Sequence, residues 1–284
     1  MTRVCLVGLG RTGIEVAKAI MEQKDLRLVS AISSPNSRKI GKDLGEILGC
    51  PATGVIVQGP DQIEPIVFQS RPDVVVDFTN PAATVRNSKL FSKMKVNIVV
   101  GTTGFSKIAM YKLYVLTKKY HNAILYAPNI TLGVNVMMLL TNLAANMLNN
   151  YDFQITEIHH KHKKDAPSGT AVKIAKEIEK GLAASGLPET ADVPIQAIRA
   201  GGVVGKHEVL IVGENDRIEI SHESFSRKAF ALGAIKGIRF IQGKSGYFEM
   251  NDVLNLQKVL GDYLAKEKFR NKRQPLYRMN SAAN

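Results

Sequence analysis

Short apolar runs rich in β-branched residues recur along the first half of the chain, at Val4–Leu9, Leu26–Ile32, Val74–Phe78, Ile98–Val100 and Ile124–Tyr126. Each is apolar almost throughout rather than alternating, the pattern of strands covered on both faces. Segments long enough for crossover helices separate them, among them Ile14–Gln23 and Tyr111–Tyr120. The repeated strand–helix–strand order predicts an α/β fold with a doubly wound parallel sheet and right-handed crossovers. Near residue 130 the pattern changes. Val134–Leu148 reads as one long apolar helix, Phe153–His160 as a strand, and a further helix starts at about Ser168. A loop of small residues and prolines follows over Ala183–Pro194, then two alternating strands near Val209–Val212 and Arg217–Ser221. This half predicts an α+β second domain, closed by an amphipathic helix over Asp252–Lys266 that periodicity assigns to neither domain.

A length of 284 residues fits two modest domains or one large one. The net charge of +13 attracts anions, whether nucleic acid, a lipid surface, phosphates or small carboxylates. Two cysteines, Cys5 and Cys50, exclude a disulfide framework and point to a reducing compartment. The apolar runs are strand-length, far below the ~20 residues of a spanning helix, and Met1–Val4 lacks the apolar core of a signal peptide. A soluble protein of the cytoplasm, with no membrane partner, is expected.

The first strand runs into Gly8-Leu9-Gly10-Arg11-Thr12-Gly13 and then a helix, which is G-x-G-x-x-G in a strand–turn–helix setting. The glycines permit a tight turn, close approach of a pyrophosphate and close helix packing, and the helix N-terminus attracts the anion. A glycine turn needed only for packing is the competing reading. The second strand ends in Ser33 and Ser34, followed by Arg38 and Lys39, where an NAD-preferring site usually places a carboxylate. Hydroxyls and cations suit a 2′-phosphate, so NADPH is expected ahead of NADH, against the alternative of a solvated loop with incidental charges.

Three of the six histidines, His159, His160 and His162, crowd together with Lys161, Lys163 and Lys164. Neighbouring ammonium groups count against a zinc site, so no metal is expected. A nucleic-acid patch would need nearby aromatic rings, which this stretch lacks. Histidines able to move a proton near neutrality, beside lysines that supply charge, fit an acid–base and anion site. Pro167-Ser168-Gly169-Thr170 then opens a helix that Ser168 or Thr170 can cap, and its free first-turn amides make a carboxylate site. A solvated basic loop and a simple helix cap are the plain alternatives. A small carboxylate is the simplest partner common to both features.

Glu157–Ala171 resembles the E-x-H-H-x-x-K-x-D-A-P-S-G-T-A signature of the dihydrodipicolinate reductase family of lysine and diaminopimelate biosynthesis. Asp77-Phe78-Thr79-Asn80-Pro81, Gly101-Thr102-Thr103-Gly104-Phe105, Ala127-Pro128-Asn129, Gly133-Val134-Asn135-Val136, Arg199–His207 and Ser226-Arg227 extend the resemblance over essentially the whole chain. The resemblance implies a Rossmann domain of residues 1–128 with 243–284. It also implies a substrate and tetramerisation domain of 129–242, whose open mixed sheet builds a homotetramer. It implies NAD(P)H-dependent reduction of 4-hydroxy-tetrahydrodipicolinate to tetrahydrodipicolinate with loss of water. His159 and Lys163 would be the acid–base and proton-donating pair. His160, Ser168, Gly169 and Thr170 would hold the substrate's carboxylates. Gly8, Gly10, Arg11, Thr12, Gly13, Ser33, Ser34, Arg38 and Phe78 would serve the cofactor. Gly101, Thr102, Thr103, Ala127, Pro128 and Asn129 would line its nicotinamide side.

Two features depart from the family pattern, both in the cofactor site. Its glycine loop is commonly G-x-x-G-x-M-G, one residue longer than the loop here, with Met where this chain has Thr12. Ser33 and Ser34 stand where an acidic or basic ribose reader is usual. The altered loop leaves open a related amino-acid or diamine dehydrogenase. The basic tail Lys266–Asn284, with six basic residues against one acidic, leaves open a cofactor-sensing nucleic-acid binder. A pure sensor has no use for the His159/Lys163 pair, so nucleic acid is not expected as a partner.

Overall fold

The computed structural model describes residues 1–186 and 192–273; part of the expected Ala183–Pro194 loop and the end of the basic tail lie outside the described residues. The chain starts with β1 (Thr2–Val7), α1 (Arg11–Met21), β2 (Leu26–Ile32), α2 (Leu44–Leu48) and β3 (Val57–Gln58). It continues through α3 (Ile63–Ser70), β4 (Val74–Asp77), α4 (Pro81–Lys93), β5 (Asn97–Val100), α5 (Lys107–Tyr120) and β6 (Ala123–Tyr126). Strand residues alternate between two cores. Val4 and Leu6 pack with α1, while Cys5 and Val7 pack with Phe91 of α4 and Leu113 of α5. That two-sided burial is why these strands read as unbroken apolar runs. Local capping sets the helix starts: Asn80 accepts from the Ala83 N–H at 3.0 Å ahead of Pro81, and Ser106 from the Ala109 N–H at 3.2 Å.

The second unit holds α6 (Leu132–Met147), β7 (Asp152–His159), α7 (Gly169–Ala184), β8 (Ile195–Arg199), β9 (Lys206–Val212) and β10 (Arg217–Glu223). Its strands lie in the order β10-β9-β7-β8, with β7 and β8 parallel and the other pairs antiparallel. The α6–α7 pair covers one face around Phe153, Ile155, Ile174, Ile178 and Val209. Along β7 the alternation turns Phe153, Ile155, Glu157 and His159 to the buried side. Glu157 and His159 therefore share one face.

The chain then returns to the first sheet through α8 (Lys228–Ile241) and β11 (Gly246–Glu249), the latter pairing in parallel with β6. The completed sheet is all parallel, ordered β11-β6-β5-β4-β1-β2-β3. Ala231, Ala234, Ile235 and Ile238 of α8 lie in the same core as Leu6 and Leu125. A boundary at 242/243 would assign this helix to the substrate unit; its buried face instead packs on the dinucleotide sheet, so the return to that unit falls before Lys228. The helix expected over Asp252–Lys266 is two, α9 (Met250–Leu254) and α10 (Leu256–Arg273). Asn255, at φ 48°, ends the first in the left-handed region that Asn tolerates.

Candidate active site

The glycine loop leaves β1 under tight packing. Gly8 has φ +96°, and a Cβ there would lie 2.5 Å from the Phe78 carbonyl oxygen. A Cβ on Gly13 would meet the Gly8 oxygen at 1.8 Å. Around Gly10 a Cβ would meet nothing within 4 Å, so the backbone faces open space where a pyrophosphate could approach. No side chain caps the N-terminus of α1, which leaves its first amides free for that anion. These features fit a dinucleotide.

The adjoining strand ends are tied by Asp77, whose Oδ1 accepts from Thr79 N (2.9 Å), Thr79 Oγ1 (2.7 Å), Thr84 Oγ1 (2.9 Å) and Thr102 Oγ1 (3.2 Å). Burial raises the Asp77 pKa despite these donors. Thr102 thus spends its hydroxyl on the scaffold, while Thr103 is exposed at the cleft. Gly101 admits the Phe78 ring, whose Cε1 lies 2.3 Å from where a Cβ would be. Ala127 is fully buried and lends only its backbone, whereas Pro128 reaches the cleft. At the end of β2, Ser33 is buried with its N–H on the Gln58 carbonyl at 2.9 Å, so Ser34 and Arg38 are the exposed groups there. Lys39 donates its Nζ to the Leu9 carbonyl and so ties this segment to the glycine loop.

Across the cleft, β7 delivers the histidines. The His159 ring hydrogen-bonds the buried Glu157 carboxylate through Nδ1, which leaves Nε2 as its second proton site. Arg199 grips the same carboxylate in a fork, Nη2 to Oε1 at 2.7 Å and Nη1 to Oε2 at 3.0 Å. The Ser168 N–H adds a bond to Oε1 at 3.0 Å. Burial works against ionising Glu157, yet Arg199, His159 and the Ser168 amide together hold its pKa below the usual carboxylate range. Burial lowers the His159 pKa, with the Glu157 bond opposing it. For His160 burial again leads, helped by the positive charges of Arg11 and Arg227. His207 is pushed down to about 3 by burial and the nearby His159.

Glu157, His159 and His207 bring three ligand-type atoms within 4.8 Å of one another. Both Glu157 oxygens are held by Arg199, which makes the cluster an ion-paired hydrogen-bond relay and a poor cation site. Ser168 departs from its expected role as a direct carboxylate ligand. Its Oγ points inward, accepting the Ala171 N–H at 3.1 Å and meeting His207 Nε2 at 3.2 Å. It acts as the N-cap of α7, and the exposed Gly169 and half-buried Thr170 present the helix start. Thr170 donates its hydroxyl to Asn129 Oδ1 at 2.7 Å, joining α7 to the loop after β6. Lys163 pairs with Asp165 at 2.8 Å and remains partly exposed.

These groups line one cleft of about 410 Å³. Gly10, Arg11, Thr12 and Thr103 form one wall; His159, His160, Lys163 and Thr170 form the other. Arg227 and Phe230, at the start of α8, complete it and were not among the expected site residues. Neither were Glu157, Arg199 and His207 as supports. Glu157 opens the Glu157–Ala171 signature and Arg199 and His207 bound the Arg199–His207 motif, but nothing local marks Phe230.

Known proteins share the sequence and the fold of this chain. The family model for the N-terminus of dihydrodipicolinate reductase matches residues 2–130, and that for its C-terminus matches residues 133–254. The 4-hydroxy-tetrahydrodipicolinate reductase of Methanocaldococcus jannaschii is 37% identical over 272 residues, covering 91% of this chain and 99% of that protein. The reductase of Methanopyrus kandleri is 37% identical over 264 residues, 88% of this chain and 95% of that protein. Among solved structures, dipicolinate-bound dihydrodipicolinate reductase from Paenisporosarcina sp. TG-14 superposes with a TM-score of 0.71 at 27% identity, covering 89% of this chain and 98% of that one. An amine dehydrogenase from Mycobacterium smegmatis shares the fold at 15% identity and a TM-score of 0.65, over 88% of this chain and 95% of that one. With both halves matched in order and near-complete relatives above a third identical, the chain belongs to the dihydrodipicolinate reductase family.

Proposed function

We propose that the protein reduces 4-hydroxy-tetrahydrodipicolinate to tetrahydrodipicolinate with loss of water. The observation that carries this reading is the one cleft in which proton donors and the start of α7 on one wall face a glycine loop on the other. When bound, the reduced dinucleotide would supply a hydride to C4 of the substrate ring once the hydroxyl and a neighbouring ring proton have left as water. This chain's residues handle the remaining charge and protons. Gly169 and Thr170 present the α7 amides to one carboxylate, and His160 adds a donor. His159 Nε2 and Lys163 Nζ hold and transfer the proton required by the electron-rich ring that reduction creates. Glu157 fixes the orientation of His159 through Nδ1.

NADPH is the proposed cofactor: Ser34 and Arg38 stand exposed at the end of β2, with no carboxylate among Ser33–Lys39 to repel a 2′-phosphate. A homotetramer built on the uncovered face of the second sheet is the proposed assembly, where Ile158 and Leu210 lie opposite the α6–α7 layer. Assay with freshly generated substrate should show oxidation of NADPH faster than of NADH at equal concentration. No oxidation of either would overturn the assignment, and faster NADH oxidation would overturn the cofactor reading. Sedimentation equilibrium should return four times the chain mass. Among the described residues, no helix is long and apolar enough to cross a membrane.

A further inference from the structure

The forty residues 81–120 contain eight Lys or Arg and no Asp or Glu. They form α4, β5 and α5, and the two helices lie side by side on one face of the parallel sheet, sharing the core of Phe91 and Leu113. All eight cations are exposed. Arg86, Lys89 and Lys93 form an i, i+3, i+7 ridge on α4, continued by Lys95. On α5, one ridge runs Lys107–Tyr111–Tyr114–Lys118 and its neighbour Ile108–Lys112–Val115–Lys119. None of the eight is ion-paired to an acidic group among the described residues. The flanking elements carry Glu64 on α3 and Glu249 on β11.

Tyr111 is 65% exposed and Tyr114 41%. Their rings stack at 6.3 Å with an interplanar angle of 26°, and Lys118 Nζ lies 5.4 Å from the Tyr114 centroid. We propose that the outward face of α4 and α5 is a docking surface for single-stranded nucleic acid, with lysines meeting phosphates and Tyr111 and Tyr114 offering ring faces to bases. The argument is charge complementarity. Concentrating unpaired positive charge on a surface is unfavourable by itself, and a polyanion relieves it by releasing its counterions. Aromatic rings set among the cations add stacking that suits unpaired bases. A lipid surface fits less well, because Lys112 lies between Ile108 and Val115 and interrupts the apolar stripe that would enter the bilayer. None of these residues lines the cleft that holds the histidine cluster.

The test is fluorescence anisotropy of the full-length protein with labelled oligo-dT across a salt series. Binding should weaken steeply with salt. Lys112→Gln, Lys118→Gln and Lys119→Gln together should reduce the slope of log K against log salt by roughly 2, at about 0.7 for each phosphate no longer neutralised. Tyr111→Ala should weaken binding by about five- to a hundredfold with the slope unchanged. Reductase turnover should be unaffected, since none of these residues lines the cleft. No binding at low salt would overturn the proposal, as would binding unmoved by the triple substitution. Equal or tighter binding to phosphatidylserine vesicles that oligo-dT fails to displace would also overturn it, in favour of a membrane.

Discussion

Glu157 and His159 stand two residues apart on β7, so both point to the same side of the sheet, where the Glu157 carboxylate holds His159 by Nδ1. Arg199 completes the arrangement with its fork on both carboxylate oxygens, at 2.7 and 3.0 Å. The carboxylate therefore sets the tautomer and angle of a ring whose Nε2 remains free for proton transfer. Glu157→Gln keeps the shape but offers an amide N–H to one partner, which conflicts with either the Arg199 fork or the Nδ1–H tautomer. Turnover should fall by about 10²–10⁴-fold while KM for the substrate changes little, an outcome read from steady-state kinetics. An equal rise in KM would instead mean that the site has collapsed.

Loss of a positioned proton donor generally costs about 10²–10⁴-fold in rate. Lys163→Ala and His159→Ala should each lower kcat within that range. Near-normal turnover in both variants would remove them from the reaction.

Thr170 is joined to Asn129 across the two halves of the cleft at 2.7 Å. Thr170→Val should mainly raise KM, because it disturbs a binding contact and leaves the proton donors in place. An effect confined to kcat would contradict this.

The Ser168 hydroxyl caps α7 and meets His207. Ser168→Ala should lower the unfolding free energy by about 1–2 kcal/mol, the usual cost of removing an N-cap, measured by urea denaturation. An unchanged midpoint would show that the cap contributes little here.

Four histidines, His159, His160, His207 and His222, have lowered pKa values, each led by burial; that of His207 is about 3. In the unfolded chain a histidine takes its proton near pH 6.5. The unfolded state therefore binds more protons below that pH, and stability is full above about 6.5 and falls as the pH drops toward 3. The urea midpoint should be lower at pH 5 than at pH 7.5, and His207→Asn should shrink that difference. A midpoint independent of pH would contradict the burial of these rings.

How much of this is legible along the chain follows from distance in sequence. Leu26–Ile32 is β2 to the residue, since a strand buried on both faces has an unmistakable composition. The start of α7 at Ser168 is equally clear from its capping residues. Helices α4 and α8 and strands β3, β8 and β11 are not identified from the pattern. The buried face of α4 is built partly from Thr84, Asn87, Ser88 and Ser92, and that of α8 partly from alanine and glycine, which blur an apolar stripe. The glycines of α8 act through close packing: a Cβ on Gly233 would lie 1.8 Å from the Ile130 carbonyl oxygen. Only the assembled sheet reveals that approach.

The sequence by itself determined the strand–helix alternation, the glycine loop and the histidine–lysine cluster with its helix cap. All depend on residues a few positions apart, where backbone periodicity and turn chemistry act. Tertiary structure decided which groups support the chemistry. The antiparallel register of β7 with β9 sets Glu157 opposite His207, and the parallel register with β8 sets His159 beside Arg199. It turned the Ser168 and Thr102 hydroxyls into the scaffold, brought Arg227 and Phe230 to the cleft, and gathered eight cations from two helices and their connections onto one face. Strand register and helix packing are set by the burial of whole faces, and no short stretch of residues carries that information.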